Sequence, residues 1–211
     1  MEKIMENVET IKYKGFDIEI CQDDNYDGPG DWGDDNLFLV NYHNDFFVEN
    51  DKVITKDEAE EWYNGEKIEQ AKKYHIFALS MLSHSGVWLS LENSFRSDSG
   101  GWDTSHIGIV LVSKEEAKTK AKAKKLAEGL IQTWNDYLSG NVYGFSIDKL
   151  NESCWGFYGD YLTSGIIDEA KGVIDYEIEQ RTKKHTKKLK AYINNKVSLE
   201  NRKPLKATMF S

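Results

Sequence analysis

The stretch CQDDNYDGPGDWGDDNLF (residues 21–38) carries six Asp carboxylates within thirteen positions. Its segment 23–28 fits DxNxDG, the first half of a calcium-binding loop, in which alternate oxygens face the ion and Gly permits a sharp bend. Position twelve of such a loop falls on Asp34, although a Glu with two ligand oxygens is usual there. The spacing therefore defines a calcium hypothesis. Its ligands would be Asp23, Asn25, Asp27 and Asp34.

Two other interpretations of this stretch compete with calcium binding. Position eight of the loop, usually apolar, is Gly30, and the residues before the loop have the pattern of a strand instead of a helix. A solvated acidic turn explains the same residues, because Asp and Asn favour turns. A negative face offered to a basic protein is the third interpretation.

The distribution of charge favours the interpretation as a negative face. The net charge is −9, but residues 1–110 carry 9 Lys and Arg against 23 Asp and Glu, a net charge of −14, whereas residues 111–211 carry 18 against 13, a net charge of +5. A protein that is negative overall is a poor general nucleic-acid binder, since Lys and Arg supply most of that affinity. We therefore expect a partner with a basic surface. The candidate partner-binding residues are Asp23, Asp24, Asp27, Asp31, Asp34, Asp35, Asp45, Glu49, Asp57, Glu58 and Glu61.

A second set of residues could form a pocket or a nucleophilic site. His84, His106 and Cys154, with Asp103 to orient a histidine, suggest Cys–His chemistry, although nothing in the sequence fixes their distances. A ligand groove lined by aromatic side chains is the alternative, and a structural role for the aromatic residues and for a buried thiol is favoured over both. The two cysteines lack CxxC spacing, so reduced thiols are expected. The candidate pocket residues are His84, Trp88, Trp102, Asp103, His106, Cys154, Trp155 and Tyr158.

The periodicity of the chain predicts an α+β fold whose elements would position these residues. We expect a mostly antiparallel sheet of five to seven strands, in which TIKYKGFDIEIC (10–21) and NLFLVNYH (36–43) are the first two strands. Thr55 and Glu58 have the spacing of a capping box before a short helix. Ser113 and Glu116 have the same spacing and predict a helix over about 114–138 that covers the sheet.

A long C-terminal helix is predicted over about 164–194, with an apolar face in its first half only. From Gln180 on, the basic residues Lys183, Lys184, Lys187, Lys188 and Lys190 dominate. We expect residues 1–211 to form one domain, with 180–211 as a projecting basic helix and tail. Direct nucleic-acid binding is not expected elsewhere in the chain, but the basic run Lys183–Lys190 could support it.

Four blocks of the sequence resemble a family of small proteins of unknown function that are encoded by bacteriophages and plasmids. The blocks are HSGVWLSL (84–91), GGWDTSHIGIVLVSKEE (100–116), LSGNVYGFSI (138–147) and ESCWGFYG (152–159). The resemblance covers roughly residues 17 to 160. It implies a protein encoded by a mobile element, and it implies no established chemistry. The segment DWGDDNLF differs from the family's acidic Trp–Asp segment by an inserted Gly. Proteins from such elements are associated with action against host defence systems.

These observations lead to a non-enzymatic hypothesis. The chain would bind and inhibit or redirect a host protein, such as a defence nuclease complex, through an acidic surface that imitates a phosphate backbone. No cofactor is expected under this hypothesis. The alternative is a small-ligand or calcium-binding module with a pocket between the 23–34 loop and the His/Trp loops. The longest apolar stretches, IFALSML and IGIVLV, are too short to cross a bilayer, and the N-terminus lacks the order of a signal peptide, so a cytoplasmic location without membrane contact is expected.

Overall fold

Within the part of the chain that the structure describes, two four-stranded antiparallel sheets pack against α-helices. The structure is a computed structural model and describes residues 6–44, 46–92, 95 and 101–202. The strands are β1 (Asn7–Tyr13), β2 (Phe16–Gln22), β3 (Leu37–Asn41), β4 (Tyr74–Ser83), β5 (Val87–Leu91), β6 (Thr104–Ser113), β7 (Val142–Ile147) and β8 (Glu152–Tyr158). The helices are α1 (Lys56–Tyr63), α2 (Lys120–Leu138) and α3 (Ile166–Lys196). The predicted α+β class is confirmed, whereas the expected arrangement of five to seven strands is replaced by two sheets of four.

The first sheet has the strand order β1-β2-β7-β8 and takes strands from both ends of the chain. The segment 10–21, predicted as one strand, is a hairpin, because Lys14 and Gly15 adopt φ angles of 47° and 83° at its centre. A two-residue turn with both φ values positive has the twist that joins antiparallel strands. One face of this sheet packs on the first half of α3 through Ile166, Ala170 and Ile174.

The second sheet has the strand order β3-β6-β4-β5 and lies between α2 and α1. Gly108 on β6 faces β3 so closely that an added Cβ would lie 2.1 Å from the Val40 carbonyl oxygen. At the β5 edge, the Asn135 side chain accepts from the Leu89 amide at 2.7 Å and donates to the Leu89 carbonyl at 3.1 Å. Helix α2 therefore satisfies backbone groups that an edge strand would otherwise expose.

Helix α2 begins six residues later than the sequence predicts. Its N-cap is Thr119, whose hydroxyl accepts from the Lys122 amide, whereas Ser113 ends β6 and accepts from the Glu115 amide in a local turn. The capping box at Thr55 and Glu58 is confirmed, with both reciprocal hydrogen bonds present. Ser and Thr hydroxyls bond nearby amides in turns as well as at helix starts, so spacing alone does not separate the two uses.

The chain crosses twice between the two sheets, and the crossings lie side by side. Residues 23–36 lead from β2 to β3, and residues 139–141 lead from α2 to β7. The Gln22 side chain donates to the Gly140 carbonyl at 2.9 Å, and the Asp23 amide donates to the Val142 carbonyl at 2.9 Å. We call this region, residues 22–28 with 137–142 and 156–158, the junction.

Candidate functional site: an acidic groove beside the junction

Two acidic segments, the loop with Asp34 and Asp35 and the segment 48–52, meet on the surface of the second sheet. The Asn50 side chain donates to the Asp35 carboxylate at 3.1 Å, which ties residues 48–52 to the loop that follows the 3₁₀ helix Pro29–Trp32. Gly30 packs so tightly that an added Cβ would lie 3.3 Å from Val48 and 3.4 Å from Trp134. The two segments therefore contact each other, and both lie against α2.

Between these segments and α2 lies a groove of about 610 Å³, which we call the acidic groove. Its lining includes six apolar side chains: Leu37, Leu39, Val48, Leu126, Leu130 and Trp134. The charged residues around it are Asp34, Asp35, Glu49, Asp51, Lys52 and Lys125. With four carboxylates against two ammonium groups, the groove combines an apolar lining with a net negative rim.

Large aromatic side chains lie exposed beside this groove. Trp32 lines it with 52% of its surface exposed, and Phe47 is 53% exposed in an adjoining depression that also contains Asp31 and Glu49. Aromatic residues are enriched in the buried centres of protein interfaces, and charged residues lie mainly at the rim. The sequence predicted the carboxylates of this surface but not its exposed aromatic residues, although Trp32 and the run FFV (46–48) lie between the acidic residues.

Aromatic packing holds the acidic loop against the end of α2. The Tyr26 ring meets Tyr137 edge-on at 5.3 Å, and the Tyr158 ring meets Trp32 edge-on at the same centroid distance. The Tyr26 hydroxyl donates to the Tyr137 carbonyl at 3.3 Å, and the Tyr158 hydroxyl donates to the Asp27 carbonyl. Burial, with further contributions from Tyr137 and the Asp27 carboxylate, raises the pKa of Tyr158 to about 12, so its hydroxyl stays a donor at neutral pH.

Asp23 is an internal support of the junction and does not lie on the outer surface. It is only 7% exposed, and its two carboxylate oxygens accept from the Asn25 amide at 3.0 Å and the Gly156 amide at 3.2 Å. One side chain therefore ties the acidic loop to β8. This arrangement satisfies the rule that a buried carboxylate must be hydrogen-bonded.

The four residues of the calcium hypothesis have different surroundings in the structure. Asp23 directs its oxygens to backbone amides, and Asp34 accepts from the Asn36 amide at 2.8 Å in a local turn. Asn25 and Asp27 are exposed. Within residues 6–44, 46–92, 95 and 101–202, no group of three or more His, Cys, Asp and Glu side chains is arranged to hold a metal ion.

Three other acidic candidates lie apart from the acidic groove. Asp57, Glu58 and Glu61 belong to α1, which packs on the opposite face of the second sheet from α2. Hydrogen bonds from the Thr55 amide, first, and from Gln70 lower the pKa of Glu58, whose carboxylate forms part of the helix cap. Asp24 is exposed at the start of the loop, and Asp45 lies outside the described residues.

The predicted pocket residues are distributed over several places and line no common cavity among the described residues. His84 Nδ1 lies 3.0 Å from Asp103 Oδ2 at one end of the second sheet, close in sequence to the exposed Trp88 and Trp102. The exposed Cys154 and its neighbour Trp155 belong to β8 of the first sheet, where the indole covers Gly144 so closely that an added Cβ would lie 1.9 Å from it.

His106 packs on the α1 face of the second sheet. Its ring stacks on Tyr63 with centroids 3.4 Å apart and an angle of 5°, and neither ring nitrogen has a hydrogen-bond partner by distance and angle among the described residues. Burial, opposed to a smaller extent by the Leu79 backbone, lowers the pKa of His106 to about 4. The ring is therefore neutral at pH 7 and acts as an aromatic packing group.

Comparison of the chain with protein-family models, with curated proteins and with solved structures found no match. None of the described helices has both the length and the apolar character that a bilayer span requires. The functional argument therefore rests on the geometry and chemistry of the surfaces themselves.

Replacing Asp23 by Ala tests its role as the support of the junction. Because two backbone amides in partly buried hydrogen bonds lose their acceptor, we expect the free energy of unfolding to fall by about 1–2 kcal/mol, measured by urea denaturation. The matched control is Asp31→Ala, which removes an exposed carboxylate of the same loop and should change stability by less than about 0.5 kcal/mol. Equal effects of the two substitutions would contradict the structural role of Asp23.

The lowered pKa of His106 predicts a pH dependence of stability. The unfolded chain binds a proton at His106 near pH 6.5 and the folded chain only near pH 4, so stability present above pH 6.5 is lost as the pH falls toward 4. We expect this loss to be about 1–2 kcal/mol, less than the full shift implies because part of the ring is solvated. His106→Phe keeps the stack on Tyr63. In this variant the free energy of unfolding, measured with urea, should differ less between pH 7 and pH 4.5 than in the wild type. An unchanged pH profile in this variant would mean that folding does not lower the pKa of His106.

Proposed function

We propose that this chain binds a partner protein that presents a basic surface, and that the acidic groove is the binding site. The observation that carries the proposal is the meeting of two acidic segments around one apolar groove. Their carboxylates include Asp34 and Asp35 from the loop after β2 and Glu49 and Asp51 from the segment after β3. Three of the eleven partner-binding residues predicted from the sequence therefore line the groove.

Charge and apolar area have separate roles in this proposal. The exposed carboxylates attract a basic surface and accelerate its encounter with the groove, an effect that salt screens over about 10 Å. Burial of Trp32, Phe47 and the groove lining would then slow dissociation, since apolar burial contributes about 25 cal/mol per Å² before the costs of association. The firm attachment of the loop to Tyr137 and Tyr158 limits the entropy lost on binding.

The resemblance to phage and plasmid proteins gives the proposal its biological direction. A mobile-element protein that acts in a host cell meets host proteins with phosphate-binding surfaces, and Lys and Arg on such surfaces would accept carboxylates in place of phosphates. We therefore propose inhibition or redirection of a host nucleic-acid-binding protein, with no catalytic step by this chain.

The second candidate function is a small-ligand or calcium-binding module. A volume of about 610 Å³ lies in the range of small-molecule sites, which run from about 300 to 1,000 Å³. Binding of a small ligand would raise the melting temperature in proportion to its concentration and with little dependence on salt. The partner-protein function predicts affinity that falls steeply with salt, which separates the two candidates.

The test compares two variants with the same change in charge. The groove variant carries Asp34→Asn, Glu49→Gln and Asp51→Asn, and the control carries Asp57→Asn, Glu60→Gln and Glu61→Gln on the exposed side of α1. Proteins captured from host lysate by the wild-type chain are purified, and their affinities are measured by calorimetry at about 50 and 500 mM salt.

We expect the groove variant to bind the partner at least about tenfold more weakly, and the control variant to bind within about twofold of the wild type. Affinity of the wild type should fall at high salt. Equal loss in both variants would mean that only total charge matters, and no loss in either would place the binding site elsewhere. Both outcomes contradict the proposed role of the groove.

A further inference from the structure

The second half of α3 is a strongly basic helix with no buried side chain over most of its length. The first half is anchored to the first sheet by Ile166, Ala170 and Ile174, but from residue 175 to residue 192 every position is exposed or half-buried. Residues 180–196, which we call the basic half-helix, contain seven Lys and Arg and no Asp or Glu. At 1.5 Å per residue this segment is about 25 Å long.

The cations of the basic half-helix form two stripes. At 100° per residue, Lys183, Lys187 and Lys190 fall within about 60° of one another around the axis. A second stripe, about 130° away, also spans about 60°. It consists of Arg181, Lys184 and Lys188.

Some of these cations pair with carboxylates of the chain, and others do not. Arg181 pairs with Glu177 at 2.8 Å and Lys183 pairs with Glu179 at 2.6 Å, both at exposed positions one turn earlier. No carboxylate of the described residues lies within ion-pair distance of Lys184, Lys187 or Lys188. The six cations of the two stripes lie within ten residues, about 14 Å of the helix axis.

We propose that the basic half-helix binds the phosphate backbones of duplex nucleic acid, lying in the major groove with one stripe of cations toward each strand. The major groove of B-DNA is about 12 Å wide and admits a helix of this diameter between two walls of phosphate. A flat acidic protein surface would meet one stripe and leave the other in solvent. The two-sided distribution therefore favours a duplex over an acidic protein as the partner.

This binding is electrostatic and independent of base sequence. The stripes contain Lys and one Arg, and Lys contacts phosphate as a point charge without bidentate recognition of a base. The acidic groove repels the same ligand, but it belongs to the second sheet, whereas α3 packs on the first. The inference does not depend on the proposed function of the acidic groove.

The test measures binding of the full chain to a fluorescein-labelled 20-base-pair DNA duplex by anisotropy at about 50, 100 and 200 mM salt. Three triple variants have the same change in charge. The first is Lys183→Gln with Lys187→Gln and Lys190→Gln, and the second is Arg181→Gln with Lys184→Gln and Lys188→Gln. The control, Lys67→Gln with Lys72→Gln and Lys73→Gln, changes exposed residues between α1 and β4. Circular dichroism establishes that each variant keeps its helices.

We expect the wild-type affinity to fall with salt with a logarithmic slope of about −4 to −6. Each stripe variant should bind at least about tenfold more weakly with a slope smaller in magnitude by about 2–3, and the control should stay within about twofold. Absence of wild-type binding at 50 mM salt would overturn the proposal, as would loss of affinity in only one stripe variant, which indicates a one-sided contact.

Two further measurements separate other partners for the same charges. Poly-glutamate that displaced the duplex at equal charge concentration would identify a general acidic partner and overturn the assignment to a duplex. Sedimentation of the chain without DNA shows whether the basic half-helix joins a second copy. A dimer that dissociates in both stripe variants, without DNA binding by the wild type, would also overturn the proposal.

Discussion

The structure depends on the hydrogen bonds of one buried carboxylate at the junction between the two sheets. Asp23 accepts from the amides of Asn25 in the loop and of Gly156 on β8. The loop that leaves the first sheet after β2 is therefore held to the edge strand β8 of the same sheet. Without this acceptor, two partly buried backbone amides would lose hydrogen bonds that contribute about 0.5–1.5 kcal/mol each. The position of the whole acidic loop follows from this attachment.

The junction also explains why the acidic segment is both structural and exposed. Tyr26 of the loop packs edge-on against Tyr137 and Tyr158, which holds the loop on its inner side, while the residues of the 3₁₀ helix after Pro29 and those that follow it are exposed. The same six Asp residues therefore divide by role. Asp23 supports the fold, Asp34 bonds the Asn36 amide and Asp35 accepts from Asn50, and the last two also line the acidic groove.

The molecule places its opposite charges on different layers. The acidic groove belongs to α2 and the second sheet, and the basic half-helix continues from a helix anchored on the first sheet. The acidic groove attracts cationic surfaces and the basic half-helix attracts anionic ones. Binding of a partner therefore depends on the charge of the surface that it meets, and the net charge of −9 does not determine it. The two proposed partners, a basic protein and a polyanion, would therefore bind at separate surfaces.

Much of this arrangement could be predicted from local sequence, and the failures have specific physical causes. Period-two alternation and short apolar runs located the segments 10–21 and 36–43 as strands, and these contain β1, β2 and β3, because side-chain periodicity reports one-sided burial directly. Division into two sheets was missed because β2 pairs with β7, about 120 residues later, and no local pattern encodes that pairing. The apolar lining of the groove was not predicted because half of it, Leu126, Leu130 and Trp134, comes from α2, which reaches this surface only after the chain has folded back.

Native-state hydrogen exchange under increasing urea tests most directly whether the junction joins the two sheets into one cooperative unit. Amides of Phe145 on β7 and Val110 on β6, each at the centre of its sheet, should open with free energies that agree within about 1 kcal/mol and merge into one global transition. Exchange of Phe145 through a separate opening about 3 kcal/mol or more below that of Val110 would mean that the first sheet unfolds independently. The junction would then not be the constraint that positions the acidic groove.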